Sequence, residues 1–267
     1  MKRRPVVAGQ FYQGSAAALR EQVEQYVVAG AEKEKVIGVM SPHAGLMYSG
    51  HVAGAVYSSI RFPGTFIIMG PNHTGRGAPA AIMASGEWEI PTATFPIDGE
   101  LARKIMRKLP GIADDPQAHA YEHSLEVQLP FIARFSDSVK IVPLTIMNLS
   151  REVCEVMGNT IAEAVRETDY DVVIVASTDM SHYVPQETAK RLDGLALQMA
   201  LALDPAGLYD TVVEEQITMC GFVPATVMLY AARALGASGA RLVKYATSGD
   251  VSGDYASVVG YAGVIVS

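Results

Sequence analysis

The chain has 267 residues, 49% of them hydrophobic and 18% charged, a composition that excludes a disordered chain and is ample for a buried core. Its formal charge of -7 excludes the clustered cationic surface on which nucleic-acid affinity depends. No apolar run reaches the roughly 18 residues of a membrane-spanning helix, and Gly9, Gln10 and Gln13 interrupt the segment after Lys2-Arg3-Arg4 that a signal peptide would keep apolar. These features predict a cytoplasmic protein with neither a nucleic-acid nor a membrane partner.

In chain order, the pattern predicts a helix from Ala16 to Val28, a buried strand from Val36 to Met40 ending at Ser41-Pro42, and a helix from Val52 to Ser59 with His51 at its start. A strand from Thr65 to Met69 follows. Asp98 reads as the cap of a helix from Leu101 to Leu109, and a further helix is expected from His123 to Arg134. After a strand from Val139 to Ile146, Ser150 reads as the cap of a longer helix ending near Glu167. A strand from Asp171 to Ala176, helices from Thr188 to Leu203 and Phe222 to Leu235, and strands from Arg241 to Ala246 and Ser257 to Val266 complete the chain.

Alternation of buried strands with helices predicts an α/β fold in three layers, α/β/α, with a largely parallel central sheet. No repeat or linker divides the chain, so residues 1–267 are expected to form one domain.

In open α/β sheets ligands bind beyond the carboxyl ends of the strands. There the sequence places Ser41-Pro42-His43-Ala44-Gly45, Gly70-Pro71-Asn72-His73-Thr74-Gly75 and Ser177-Thr178-Asp179-Met180-Ser181-His182, so three strand ends point histidines at one rim. Cys220 stands before the helix starting near Phe222, where unpaired backbone N–H groups and the helix dipole favour a thiolate, the metal-binding form. Taken singly, His43 and His73 also read as turn residues and Cys220 as an inert helix-start residue. Taken together, His43, His73 and Cys220 form a metal-sized set.

Asp179 and His182 read as a carboxylate–imidazole pair suited to acid–base work beside it. Glu122 and His123, at a helix start, face either the same cleft, where His123 is a third acid–base candidate, or solvent. Phe11 and Tyr12 read as walls of an adjacent pocket or as ordinary packing. His119 falls in a polar loop with no evident partner. Cys154 lies in an amphipathic helix, and both cysteines are expected to be free thiols.

The ordered set Ala8-Gly9-Gln10-Phe11-Tyr12, Pro42-His43-Ala44-Gly45, Gly70-Pro71-Asn72-His73, Glu122-His123-Ser124-Leu125-Glu126, Ser177-Thr178-Asp179-Met180-Ser181-His182 and Cys220-Gly221 resembles the Memo family almost end to end. Gln13 departs from the proline common at that point in the family.

The resemblance implies a fold similar to the LigB-type class III extradiol dioxygenases, ring-cleaving enzymes with a non-haem Fe(II). It places His43 and His73 on two histidine ligands, His182 on the catalytic histidine, and Cys220 on the Memo family's metal-site cysteine, where the dioxygenases carry a carboxylate. Thiolate favours softer ions, so ring cleavage does not transfer with the fold. The resemblance adds a copper or iron ion, with zinc as the third candidate, and a redox or oxygenase-like role. It implies a peptide or small aromatic ligand, since eukaryotic relatives bind phosphotyrosine-containing peptides in signalling. For prokaryotic relatives it implies radical-SAM and AMMECR-type partners, the AmmeMemoRadiSam context. The rival readings are a non-catalytic peptide-binding, partner-binding or metal-sequestering module, and a zinc hydrolase.

Overall fold

The computed structural model describes residues 1–267. Its first part comprises β1 (Lys2–Arg3), α1 (Ala16–Glu24), β2 (Gly38–Ser41), α2 (Leu46–Ser58), β3 (Thr65–Pro71), β4 (Ala80–Ile82), β5 (Glu87–Ile90), β6 (Ala93–Pro96), α3 (Gly99–Lys108) and β7 (Ala113–Asp114). Two 3₁₀ turns (Pro116–His119 and Glu126–Gln128) lead to α4 (Leu129–Phe135), β8 (Lys140–Ile146), α5 (Arg151–Arg166), β9 (Val172–Ser177) and β10 (His182–Val184). The remainder is α6 (Gln186–Leu201), α7 (Pro205–Glu214), α8 (Phe222–Ala234), β11 (Ala240–Thr247), α9 (Gly249–Ser252) and β12 (Val258–Val266).

Nine strands form the main sheet, and its centre, in the order β2-β9-β3-β8, is parallel throughout. Antiparallel β12 adds beside β2 and antiparallel β4 beside β8. The expected α/β class with a largely parallel sheet is what the chain adopts.

Alternation along the central strands explains why both faces are covered. Ile67, Met69, Val142, Leu144, Ile174 and Ala176 pack into one core with α3, α5 and α8. Their neighbours Phe66, Ile68, Ile141, Val173 and Val175 pack into the other, with α1, α2 and α4. Every one of these side chains is buried, so a strand slipped by one residue would only exchange one apolar core for the other. No helix is long and apolar enough to cross a membrane.

Several expected boundaries move, each for an identifiable reason. Helix α2 begins at Leu46, so His51 lies within it and not at its start; Gly50 and Gly54 lower helical propensity there, but packing against Tyr26 overrides that preference. The expected helix from His123 forms only from Leu129, because Pro130 has no N–H to give the carbonyl four residues back and is tolerated only in the first turn. Helix α1 stops at Glu24, four residues short of Val28. Helix α7, capped by Asp204, adds to the expected elements, and the short strands β4 to β7 carry patterns too brief to register in the sequence. Asp98 and Ser150 cap α3 and α5 as expected, their side chains accepting from Leu101 N and Val153 N.

A second, three-stranded sheet in the order β1-β5-β6 brings the N-terminus onto the body of the chain. Arg3 lies over the buried Trp88 ring at 4.3 Å and pairs with the buried Glu126. Glu126 also accepts from Val6 N (2.9 Å), Val7 N (3.1 Å) and the Tyr12 hydroxyl (2.5 Å). Of the two readings offered for this pair, Tyr12 takes ordinary packing, as a buried anchor, while its neighbour Phe11 walls the cleft.

His119, read as a loop residue, is fully buried beside Trp88, and neither ring nitrogen has a hydrogen-bond partner. Burial, with the Arg3 charge nearby, lowers its pKa to about 4. Between pH 6.5 and 4 the unfolded chain takes up a proton that the folded chain refuses, so this contribution destabilises the fold progressively as pH falls. A His119→Leu variant should flatten the pH dependence of urea unfolding in that window, other buried histidines supplying what slope remains. An unchanged slope would show that His119 is charged, or already partnered, in the folded protein.

Candidate metal-binding cleft

Three parallel strands deliver the site. Beyond β2 comes His43, beyond β3 His73, and beyond β9 Asp179, all at the carboxyl edge of the sheet. The segment 122–125 closes against the end of β3: a Cβ on Gly70 would stand 2.6 Å from the Ser124 hydroxyl, so only glycine admits that approach, and His123 arrives beside His73. In the same way a Cβ on Gly221 would lie 2.5 Å from the Ser177 carbonyl oxygen, so the turn before α8 sits tightly on β9 and carries Cys220 in.

One ligand atom each from His43, His73 and His123 lies within 4.8 Å of the others. The rings of His43 and His73 are 5.3 Å apart and steeply inclined, while His73 and His123 stack at 4.7 Å. The Cys220 sulfur is 3.3 Å from His43 Nε2, at the edge of this set and not within its mutual 4.8 Å spacing. The sequence-derived trio of His43, His73 and Cys220 is thus brought into one place, and His123, expected to serve acid–base work, joins the two histidines more closely than the cysteine does.

His43 and His73 are each held through Nδ1. His73 Nδ1 donates to Glu122 Oε1 at 2.9 Å, and Glu122 also accepts from His73 N (2.6 Å) and Ser124 N (2.8 Å). His123 Nδ1 is 3.5 Å from the same carboxylate oxygen. His43 Nδ1 lies 3.0 Å from the Ser177 hydroxyl. Burial would raise the Glu122 carboxyl, but the His73 and Ser124 hydrogen bonds and nearby imidazole charge outweigh it and bring it down to about 2.

Burial, reinforced by the neighbouring histidines, depresses His43 well below the usual imidazole value, and burial likewise lowers His123. Both therefore present neutral imidazole, with a lone pair available, near pH 7.

Two expectations about the cleft are corrected. Asp179 does not pair with His182: its carboxylate accepts from the backbone N–H groups of His43 (2.8 Å) and Ala44 (3.3 Å), fixing the loop that carries His43. His182 is held by Thr218, its N–H donating to the threonine hydroxyl (2.7 Å) and Nδ1 donating to the threonine carbonyl (2.8 Å). Nor does the start of α8 favour a thiolate in the ion-free protein. Burial, then the charge of Asp179, pushes the Cys220 thiol well above its ordinary value, so ionising it requires a cation close by.

Phe11, His182, Tyr183 and Thr218 line the rest of a cleft of about 500 Å³ above the three histidines. Phe11 meets the His123 ring edge-on at 4.8 Å. Sequence reasoning missed Thr218, Tyr183 and the anchoring roles of Glu126 and Gln128. The polar residues that alternate with Leu125 and Val127 between Glu122 and Gln128, just before the apolar stretch from Leu129 to Ile132, were the available signal.

Three convergent imidazoles, two kept neutral by burial and one oriented by a carboxylate, are a donor set that fits a transition-metal ion. The family model for Memo-like proteins matches residues 3–265. Among similar proteins, a MEMO1 family protein of Methanothermobacter thermautotrophicus is 44% identical over 98% of this chain and 99% of its own length. A MEMO1 family protein of Aquifex aeolicus is 42% identical, with 98% of each chain covered, and one of Methanopyrus kandleri is 39% identical, with 99% of each covered. With matches that run from end to end at this identity, the chain belongs to the Memo-like family.

Proposed function

We propose that this cleft binds a copper or iron ion, with zinc as the competing occupant, and serves a redox or oxygenase-like reaction on a small ligand. The observation that carries the reading is the convergence of His43, His73 and His123 nitrogens within 4.8 Å at the strand ends. His43 and His73 are the constant donors; Cys220, ionised by the ion itself, joins them, and His123 borders the same point. A bound ion of this kind supplies electrophilic polarisation and, for copper or iron, electron transfer.

The chain's own contribution is to hold protons and shape the cleft. Because His182 Nδ1–H is committed to the Thr218 carbonyl, its Nε2 is free to take a proton from a ligand in the cleft. Phe11 excludes water from one side of the histidine cluster.

A second reading, a module that holds an ion or docks a peptide without turnover, draws on the open rim, where Tyr183 is 79% exposed.

Anaerobic purification followed by metal analysis and competition titration tests both readings. Wild type and His182→Ala are expected to retain copper or iron to a similar extent, with only His182→Ala losing oxygen consumption or ligand exchange. Cys220→Ser is expected to weaken Cu(I) more than Zn, since thiolate is the soft donor of the set. Tight binding without turnover in every protein favours the module, and zinc-dependent ester or amide cleavage favours a hydrolase. Absence of any bound transition metal in folded wild type would overturn the proposal.

A further inference from the structure

Behind His43 runs a chain of buried hydrogen bonds in which every proton can be placed. Gln128 Nε2 lies 2.9 Å from the Pro42 carbonyl and 2.7 Å from the Ser177 hydroxyl, while its Oε1 accepts from the Tyr57 hydroxyl at 3.0 Å. A carbonyl can only accept, so the Pro42 contact fixes which end of the Gln128 amide is nitrogen, and that nitrogen donates to Ser177. The Ser177 hydroxyl lies 2.7 Å from the Ser124 carbonyl, another group that can only accept. Its single proton is thereby committed to Ser124. Turning that proton towards His43 would leave a buried carbonyl without its hydrogen bond, which is unfavourable.

Ser177 therefore faces His43 Nδ1, 3.0 Å away, with a lone pair only. We infer that Ser177, locked by the Ser124 carbonyl and the Gln128 amide, holds the proton of neutral His43 on Nδ1 and leaves the bare Nε2 facing the cleft. Ser177 and Gln128 are then positioning residues. Neither belongs to the donor set, and together they select the one His43 tautomer that can donate a lone pair towards Cys220 and the other histidines. Tyr57, Ser124, Gln128 and Ser177 are all fully buried, so no bulk water competes for these bonds. With one proton given and two accepted, the Ser177 hydroxyl is saturated, which is why the arrangement admits a single pattern.

The consequence for affinity rests on the metal-site reading above, but the proton assignment does not. Long-range ¹H–¹⁵N correlation on metal-free protein with ¹⁵N-labelled imidazoles reads the tautomer directly, His43 being identified by the signals lost in His43→Gln. Wild type is expected to show His43 protonated on Nδ1 and bare on Nε2. Ser177→Ala is expected to show a mixture of tautomers and to lower metal affinity about 10–100-fold, as loss of a partner behind a metal ligand does. A wild-type His43 protonated on Nε2 overturns the inference whatever the variants do, and so does a Ser177→Ala protein that keeps the pure Nδ1-protonated form. Should wild type show the expected tautomer and take up no copper, iron or zinc, the proton assignment stands and the metal reading fails. Metal uptake by a protein whose His43 carries its proton on Nε2 is the converse result.

Discussion

Replacing His73 with alanine is expected to cost metal affinity more than the roughly 10–100-fold that loss of a partner behind a ligand brings. Among the donors of the proposed site, His73 has the most strongly determined orientation, since Glu122 accepts from both its backbone N–H and its Nδ1. Glu122→Gln should fall within the smaller range. The amide can still accept through its oxygen, but it brings no negative charge to strengthen the imidazole as a donor. Metal competition titrations on folded His73→Ala, His43→Ala and Glu122→Gln proteins check the order. Equal affinities in His73→Ala and wild type would remove His73 from the donor set. A loss in Glu122→Gln as large as in His73→Ala would make the carboxylate itself a ligand.

Glu122 also links the site to acid stability. Its folded pKa of about 2 is depressed below the unfolded value of 4.5. It therefore stabilises the fold above about pH 4.5, and that stabilisation is lost as pH falls towards 2.

Glu126→Ala is expected to be the most destabilising single change among the polar residues, by about 3–5 kcal/mol, the cost of leaving a buried charge unpaired. The variant strands the buried Arg3 guanidinium and removes the acceptor of Val6 N, Val7 N and the Tyr12 hydroxyl. Denaturant unfolding at neutral pH measures the loss. A double variant, Arg3→Met with Glu126→Leu, should recover part of it. It abolishes the unpaired charge but leaves the Val6 and Val7 N–H groups without a partner. Recovery to full wild-type stability would mean that those backbone groups find other acceptors. A loss below about 1 kcal/mol in Glu126→Ala would place Arg3 in contact with solvent in the native state. Because Glu126 ties down the segment that carries Phe11, the same variant should also loosen the wall of the cleft beside His123.

The strands were legible because the period of the buried central sheet leaves long apolar runs, and β3, β8, β9 and β12 fall within about two residues of their expected positions. Caps were legible for a local reason: Asp98 and Ser150 bond to N–H groups three residues away, within reach of a short sequence window. Placement of His43 and His73 followed from the same logic, since a parallel strand order sends the loops after β2 and β3 to one edge. The ordered motifs of the Memo-like family were likewise a property of the sequence alone.

Tertiary structure decided which polar groups meet, because hydrogen-bond partners 36 to 177 residues apart leave no periodic trace. Asp179 is four residues from none of its partners: it holds the His43 and Ala44 N–H groups 136 and 135 positions away, and His182 goes to Thr218. Nothing local distinguishes that outcome from the adjacent Asp179–His182 pairing the sequence suggests. The state of the Cys220 thiol was decided in the same way. A helix start favours the thiolate, but burial against Asp179 opposes it more strongly, and only the fold brings the two together. The sequence by itself determined the central buried strands, the histidine-bearing loops that follow them and the family. The tertiary structure determined that His123 stands with His43 and His73, that Glu122 meets His73 and that Ser177 meets His43, because directional bonds between buried groups depend on distances set by packing.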